Sequence, residues 1–176
     1  MLQNCNTLKV ARVFFLEPTQ KHYLMEISKK SKLSHTSVKL LLEKLKKQKI
    51  ITETQEKKGK RKYPLFNSNV ESNQYKIYKQ IFNILEIQKS DLIELIQEEL
   101  MPASIVLFGS YLRGEDIEGS DIDLFVGCKS SKINVSKFEK IFQRKIELHF
   151  SERFKDYPKE LKNNIINGFV LRGHLE

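Results

Sequence analysis

The chain has no tryptophan, two cysteines and no apolar run long enough to cross a membrane. Cys5 and Cys128 lie far apart and form no CxxC pair, which excludes a disulfide framework and a cysteine-based zinc site. The longest apolar runs, Val13–Leu16 and Ile105–Phe108, fall well short of the ~20 residues that a membrane helix needs. No signal peptide is recognised at the N-terminus, so we expect a reduced, cytoplasmic protein with no membrane partner.

Positive charge is concentrated in the first third of the 176 residues. Residues 1–65 carry 16 Lys and Arg against 5 Asp and Glu, whereas the remainder carries 15 against 17, for a net charge of +9. This asymmetry suggests that the basic part meets a polyanion. The polar cluster Asn67–Asn69 predicts a linker. We therefore expect a basic domain over 1–67, linking helices over 68–100 and a further domain over 101–176.

In the basic part, apolar spacing predicts three short helices, over residues 7–16, 24–30 and 35–48. Ser34 is a candidate N-cap of the third helix. That helix has a stripe of apolar residues at helical spacing, formed by Val38, Leu41, Leu42 and Leu45. A buried inner face and a polar outer face follow.

Beyond the third helix, the sequence predicts a hairpin. Residues 50–54 alternate like a strand, and 63–66 return as a second strand. Between them, 57–62 is expected to form a turn in which Gly59 adopts positive φ. Five of these six turn residues are cationic. Such a cluster would displace counterions from phosphates and give affinity without sequence information.

The order of these elements resembles the winged helix-turn-helix family over about residues 5–67. The resemblance rests on the spacing of Ile27, Leu33, Ser34, Val38, Leu42 and Leu45. It implies that the third helix enters the major groove of duplex DNA and that the hairpin contacts the backbone. The predicted DNA-binding residues are His35, Thr36, Ser37, Lys39, Lys57, Lys58, Lys60, Arg61 and Lys62. A solvated basic face, contact with a protein and RNA binding stay open as alternatives.

The second part begins with two predicted amphipathic helices, over 75–88 and 90–100. Their inner faces are expected to be formed by Ile77, Ile81, Leu85, Leu92, Leu95 and Ile96. The apolar run 104–108 predicts a buried strand, and 121–126 alternates like a second strand. A polar loop over 115–120 precedes this second strand. The acidic residues of the loop are expected to be solvated.

Two aspartates lie two residues apart on the second strand. Asp121 and Asp123 are expected to point to the same side, where their carboxylates repel unless a cation lies between them. Mg²⁺ is the hard cation that such oxygen ligands favour. Gly109 lets the backbone approach a phosphate, and Ser110 offers a hydroxyl and an amide. For the two aspartates, the alternative is a capping or turn pair where the loop meets the strand. For Gly109 and Ser110, the alternative is an ordinary strand-to-helix turn.

The segment LFGSYLRGEDIEGSDIDLFV, residues 107–126, resembles nucleotidyltransferases of the polymerase-beta type, and their minimal branch most closely. The matching residues are Gly109-Ser110, Arg113-Gly114 and Asp121-x-Asp123. The resemblance covers about 85–176 and implies an α+β fold with a small mixed sheet. It implies a third carboxylate on a later strand, for which Glu147 is the candidate in the alternating segment 145–150.

What the resemblance implies chemically is transfer of a nucleoside monophosphate from a nucleotide to an acceptor. Asp121, Asp123 and Glu147 would be the catalytic and metal-binding residues, with one or two Mg²⁺ ions. Gly109, Ser110 and Arg113 would bind ATP. For Arg113 and Glu147, an ordinary surface position is the alternative. The four histidines show no zinc-ligand spacing, so no zinc site is expected.

The minimal branch implies an antitoxin that adenylylates a tyrosine of a helical HEPN-type ribonuclease toxin. A winged helix would suit a regulator that binds its own promoter. The short chain favours a macromolecular acceptor over an antibiotic or a tRNA end. The rival hypothesis is a transcriptional regulator whose second domain senses nucleotide without turnover, or is inactive. A homodimer stays open.

Overall fold

The structure is a computed structural model that describes residues 5–152 and 157–175. The chain divides into two compact units, Met1–Lys79 and Gln80–Glu176. Among the described helices, none combines the length and the apolar character needed to span a membrane.

The first unit combines three helices with a three-stranded sheet. Its elements are α1 (Asn6–Leu16), β1 (Lys21–Tyr23), α2 (Leu24–Ser31), α3 (His35–Lys47), β2 (Ile51–Lys58) and β3 (Arg61–Ser68). The sheet is antiparallel with the order β1-β3-β2. All three predicted helices are present.

Helix α3 follows its sequence pattern closely. The Ser34 hydroxyl accepts a hydrogen bond from the Ser37 backbone N–H at 3.3 Å, which confirms the predicted N-cap. Val38, Leu42 and Leu45 are at most 1% exposed, whereas Leu41 is half-buried. The buried stripe therefore holds α3 in the core of the first unit.

The hairpin is longer than predicted. The segment 57–62 is not all turn, because β2 continues to Lys58 and β3 begins at Arg61. Only Gly59 and Lys60 separate the strands, and Gly59 has a φ of 62°. Alternation was too weak a signal here because both strand ends are entirely polar and exposed.

The polar cluster Asn67–Asn69 is not a free linker. Asn67 and Ser68 form the end of β3, where Asn67 pairs with Lys21 of β1. The Ser68 hydroxyl donates to the Phe14 carbonyl at 3.0 Å. The Tyr75 hydroxyl donates to the same carbonyl at 3.1 Å. These bonds tie the segment that follows residue 67 into the first unit. Residues 1–4 of the predicted 1–67 domain lie outside the described residues.

The remaining elements are α4 (Asn73–Gln88), α5 (Leu92–Leu100), β4 (Ser104–Phe108), α6 (Gly109–Arg113), β5 (Ile122–Val126), α7 (Ser136–Phe142), β6 (Ile146–Phe150), α8 (Lys159–Ile166) and β7 (Phe169–Gly173). The sheet of the second unit has the order β6-β5-β4-β7. Strands β5 and β6 are parallel, and the other pairs are antiparallel. This confirms the predicted small mixed sheet.

Each face of this sheet carries its own apolar cluster. The larger cluster includes Leu107, Leu124 and Ile146 from the strands, with Ile93 and Ile96 of α5. On the opposite face, a smaller cluster consists of Val106, Phe108, Phe125 and Ile165. Ile165 belongs to α8, so this helix covers part of that second face.

One prediction about α4 is wrong. Ile77 and Ile81, expected on its inner face, are each 49% exposed. Tyr75, Phe82 and Ile87 are buried instead. The helix has apolar residues around most of its circumference, so its pattern contains two competing stripes and does not by itself identify the buried one.

Candidate active site

Asp123 lies on β5 between two neighbouring strands. Its register partners are Phe108 of β4 and Glu147 of β6. Because paired residues of neighbouring strands point to the same side of a sheet, the Asp123 and Glu147 side chains lie next to each other. The side chain of Asp123 is 23% exposed and that of Glu147 is 54% exposed. Two of the predicted metal ligands therefore meet at an accessible part of the sheet.

A histidine that the sequence did not single out joins this pair. Nε2 of His149 is 3.3 Å from Oδ1 of Asp123 and 3.8 Å from Oε2 of Glu147. The ligand atoms of all three residues lie within 4.8 Å of one another. The signal was present, since residues two apart on a strand share a face and His149 follows Glu147 by two. We call Asp123, Glu147 and His149 the acid–histidine cluster.

Asp121 occupies a different position. It is half-buried, directly before β5, and it is not a member of the acid–histidine cluster among the described residues. The next backbone N–H, of Ile122, donates to the Lys145 carbonyl at 2.9 Å. The predicted pairing of Asp121 with Asp123 at one metal stays a prediction.

Gly109 directly adjoins Asp123. Its φ is +77°, which is unfavourable for any residue with a side chain. A Cβ atom at this position would lie 2.1 Å from Oδ2 of Asp123. The absence of a side chain therefore makes room for the carboxylate. Close approach of a phosphate, the role expected from the sequence, stays a prediction.

The other two predicted nucleotide-binding residues follow Gly109 on α6. Ser110 is half-buried, and its backbone carbonyl accepts a hydrogen bond from the Glu115 N–H at 3.0 Å. The Arg113 side chain is 53% exposed, and its Nε donates to Oε2 of Glu115 at 2.8 Å. A phosphate at Arg113 would have to compete with this ion pair.

A buried ion pair anchors the loop that leads to Asp121. Asp116 is 2% exposed, so the expectation that it is solvated is wrong. Its Oδ2 lies 2.8 Å from Nη2 of Arg144, a residue just before β6. Nδ2 of Asn83 donates to Oδ1 of Asp116 at 2.8 Å and to the Tyr111 carbonyl at 2.7 Å. The spacing of acidic residues in a loop gives no indication of such a buried partner.

The aromatic ring of Phe108 packs against the cluster. Its centroid lies 5.1 Å from that of His149, with 59° between the ring planes. Since Phe108 also belongs to the small apolar cluster on this face, the imidazole is supported from one side by the sheet itself. The arrangement limits the positions that the His149 ring can adopt.

The predicted DNA-binding residues lie in the first unit. On α3, His35, Thr36 and Lys39 are exposed, whereas Ser37 is half-buried and accepts a hydrogen bond from the Ser34 hydroxyl at 3.0 Å. The five cations near the hairpin tip are all exposed. Lys57 pairs with Lys62 across the hairpin, and Lys58 pairs with Arg61. The structure thus brings like charges directly opposite each other.

The donor set of the acid–histidine cluster fits a divalent cation. Two carboxylates and one imidazole are common metal-ligand types, and their ligand atoms are close enough to contact a single ion. The half-buried Asp123 carboxylate lies directly against Gly109, where there is no side chain to displace it. The chemistry of these residues is therefore consistent with metal binding.

One family model matches the second part of the chain. Residues 89–171 match the family model of the nucleotidyltransferase domain. This segment contains Gly109, Ser110, Asp121 and all of the acid–histidine cluster. The match supports a nucleotidyltransferase domain there, and such domains typically use nucleoside triphosphates and divalent metals.

One solved structure similar to the chain is described as a possible transcriptional regulator from Methanosarcina mazei Go1. The likeness has 21% sequence identity and a TM-score of 0.37, and it covers 55% of this chain and 78% of that chain. No curated protein matches the chain.

Proposed function

We propose that this chain is a metal-dependent nucleotidyltransferase that transfers AMP from ATP to a macromolecular acceptor. The observation that carries the proposal is the meeting of Asp123, Glu147 and His149 beside Gly109, inside the segment that matches the nucleotidyltransferase domain. A phosphate-transfer site needs negative ligands for a cation, and the two carboxylates of this cluster would supply them.

Asp123 and Glu147 would hold the divalent cation. Asp121 is proposed as a third metal-binding carboxylate, and the site would hold one or two ions. A bound metal of this kind supplies charge stabilisation at the α-phosphate and at the departing pyrophosphate. The Ser110 hydroxyl and the exposed Arg113 guanidinium would bind phosphate oxygens. These contacts orient the nucleotide before the reaction.

The reaction itself exchanges one bond to phosphorus for another. The acceptor hydroxyl oxygen bonds to the α-phosphorus, while the bond from that phosphorus to the pyrophosphate oxygen breaks. The hydroxyl proton passes to a carboxylate, for which Glu147 is the proposed base because more than half of its side chain is exposed. Pyrophosphate leaves with the electron pair of the broken bond.

The acceptor is proposed to be a protein. Glu147 lies on β6, which forms an edge of the sheet, so a large partner has access to it. On the resemblance to the minimal nucleotidyltransferases, we propose a tyrosine of a HEPN-type toxin as the acceptor, which would make the chain an adenylylating antitoxin.

The first unit is proposed to be a winged helix that binds duplex DNA. Its hairpin places Lys57 opposite Lys62 and Lys58 opposite Arg61. Like charges directly across a strand pair destabilise a hairpin, whereas a polyanion bound there would relieve the repulsion. Glu56, 3.1 Å from Lys58, compensates only part of this charge. The protein would then recognise DNA with α3 and contact the phosphates with the hairpin.

A second candidate function is a DNA-binding regulator that senses nucleotide without turnover. The position of Asp121 favours it, because this carboxylate is not part of the acid–histidine cluster. A site that lacks the Asp121 carboxylate would still bind nucleotide but would transfer its nucleoside monophosphate poorly.

The decisive experiment is to incubate the full chain with a HEPN-type toxin, a divalent metal and ATP labelled at either the α- or the γ-phosphate. Transfer predicts label on the toxin from α-labelled ATP only, and none with the Asp123→Asn variant. The matched control Asp91→Asn changes an exposed aspartate at the start of α5 and should keep transfer. Thermal stabilisation by ATP without label on the acceptor supports the sensor. If the toxin is not labelled and ATP does not stabilise the chain, both functions are contradicted.

A further inference from the structure

We propose that His149 is a metal ligand and that it makes the site prefer divalent ions of the first transition row, such as Mn²⁺ and Co²⁺, over Mg²⁺. The inference rests on the proposed metal-dependent function and concerns the metal choice of the same site. Its basis is the placement of an imidazole nitrogen 3.3 Å from the Asp123 carboxylate and 3.8 Å from that of Glu147.

The fold fixes this placement. In β6, Glu147 and His149 are two residues apart and share a face of the sheet. Strand β5 runs parallel to β6 and brings Asp123 into register with Glu147. All three side chains therefore converge through regular strand pairing, without a loop between them. A site built on paired strands holds its ligands more precisely than one built on loops.

Packing also orients the imidazole. The ring lies against Phe108 at a centroid distance of 5.1 Å, and three-quarters of the side chain is shielded from solvent. Nε2 is the ring nitrogen that faces the carboxylates, so its lone pair, in the matching tautomer, points towards the place that Asp123 and Glu147 would share with a cation. The ring therefore needs little rearrangement to coordinate an ion.

Ligand chemistry then determines the preference. Mg²⁺ demands oxygen ligands in near-ideal octahedral geometry, and it loses its bound water reluctantly. Imidazole suits transition metals, and their affinity for nitrogen-containing sites rises along the series from Mn²⁺ to Cu²⁺. A site with two carboxylates and one imidazole therefore gains affinity for Mn²⁺ and Co²⁺ from a ligand that contributes little to Mg²⁺ binding.

The test measures metal binding by the full chain without nucleotide. Isothermal titration with MgCl₂, MnCl₂ and CoCl₂ gives three dissociation constants for the wild type and for His149→Asn. Loss of a partner that merely supports a metal ligand costs about 10–100-fold in affinity, so loss of the ligand itself should weaken Mn²⁺ and Co²⁺ binding at least ~10-fold. Mg²⁺ binding should change much less.

A spectroscopic measurement tests whether the ion binds beside His149, and the affinities of the His149 variants then test whether the imidazole is a ligand. Because Mn²⁺ is paramagnetic, it should broaden the His149 imidazole resonances at substoichiometric concentration and leave those of His174, exposed after β7, much sharper. The control His174→Asn should leave all three metal affinities unchanged. His149→Gln provides a second variant, and far-UV circular dichroism shows which of the two keeps the fold.

The outcomes separate this inference from the proposed function. Equal affinities for Mg²⁺ and Mn²⁺, or unchanged Mn²⁺ binding in both His149 variants, would overturn the inference while leaving AMP transfer intact. A His149-dependent preference for Mn²⁺ in a protein that transfers no label would support the inference and contradict the transferase. If the wild type transfers label but does not bind Mn²⁺ or Co²⁺ more tightly than Mg²⁺, the metal site is built from oxygen ligands alone.

Discussion

The Asp123 carboxylate fills the space that a side chain on residue 109 would need. A Cβ atom on residue 109 would lie 2.1 Å from Oδ2 of Asp123 and 3.0 Å from its Cγ. Asp123 lies on β5, and Gly109, the first residue of α6, directly follows Phe108 of β4, which is the register partner of Asp123. Residue 109 must therefore be a glycine for two reasons: its backbone has a positive φ, and the Asp123 carboxylate leaves no room for a side chain.

Gly109→Ala is expected to disrupt the site in two ways. The positive φ of 77° strains any side chain by roughly 1–3 kcal/mol, and the new methyl group must push the Asp123 carboxylate aside. Thermal unfolding should show the loss of stability, and titration with Mn²⁺ should show weaker binding. The matched control is Gly119→Ala, where φ is +89° but no atom lies within 4 Å of the new Cβ. That variant should lose stability alone; equal losses of metal binding in both would contradict the close-contact argument.

Asp123→Asn should give opposite changes in activity and stability. The amide keeps the volume of the carboxylate and a hydrogen-bonding group beside Nε2 of His149, but it removes one negative charge beside Glu147. We expect label transfer to be abolished and the melting temperature in the presence of a chelator to be equal or higher. A clear fall in that melting temperature would mean that Asp123 has a structural role.

Glu147→Gln provides the complementary measurement. If Glu147 is the base, turnover should fall much more than nucleotide affinity, because the amide cannot take up the proton. Equal losses in both would assign Glu147 to nucleotide or metal binding alone.

Much of the site could be predicted because its signals are local. A Gly-Ser pair after an apolar run predicts Gly109 just after one strand, and the alternating segments predict Asp123 and Glu147 on two later strands, without knowledge of the fold. Ser34 is a similar case, since capping depends on the first turn of its own helix. The parallel pairing of β5 with β6 then determines which of these residues meet.

What could not be predicted depends on contacts between distant segments. Strand β1 has three residues, too few for alternation to be detected, and it exists because β3 offers it an edge. The outward orientation of Ile77 was hidden by a second apolar stripe on α4. Asp116 resembled the other loop acids, and its burial depends on two partners that are distant in the chain, Arg144 and Asn83.

Asp116→Asn should therefore be strongly destabilising. Breaking a buried ion pair leaves the Arg144 guanidinium, 6% exposed, without its charge partner, which typically costs about 3–5 kcal/mol. Chemical denaturation of the full chain measures the loss, and Glu118→Gln in the same loop, at an exposed position, is the matched control. The double variant Asp116→Asn with Arg144→Gln removes both charges and should recover part of the stability. A loss below about 1 kcal/mol in the single variant would place the pair among ordinary surface ion pairs.

The hairpin cations should supply much of the DNA affinity of the full chain. Replacing Lys57, Lys58, Lys60, Arg61 and Lys62 with serine removes charges that would neutralise phosphates. Binding to all duplex sequences should weaken alike, and the slope of log affinity against log salt should flatten by about 0.9 for each phosphate that the variant no longer neutralises.

The control for this experiment is a set of five exposed lysines of the second unit, Lys129, Lys132, Lys137, Lys140 and Lys145, replaced with serine. Both variants lose five positive charges, so the difference between them measures the position of the charges and not their number. The hairpin variant should also unfold at a slightly higher temperature, because the repulsion of Lys57 by Lys62 and of Lys58 by Arg61 disappears. Equal salt slopes in the two variants would show that the hairpin does not contact DNA, and the basic charge of the first unit would then need a different partner.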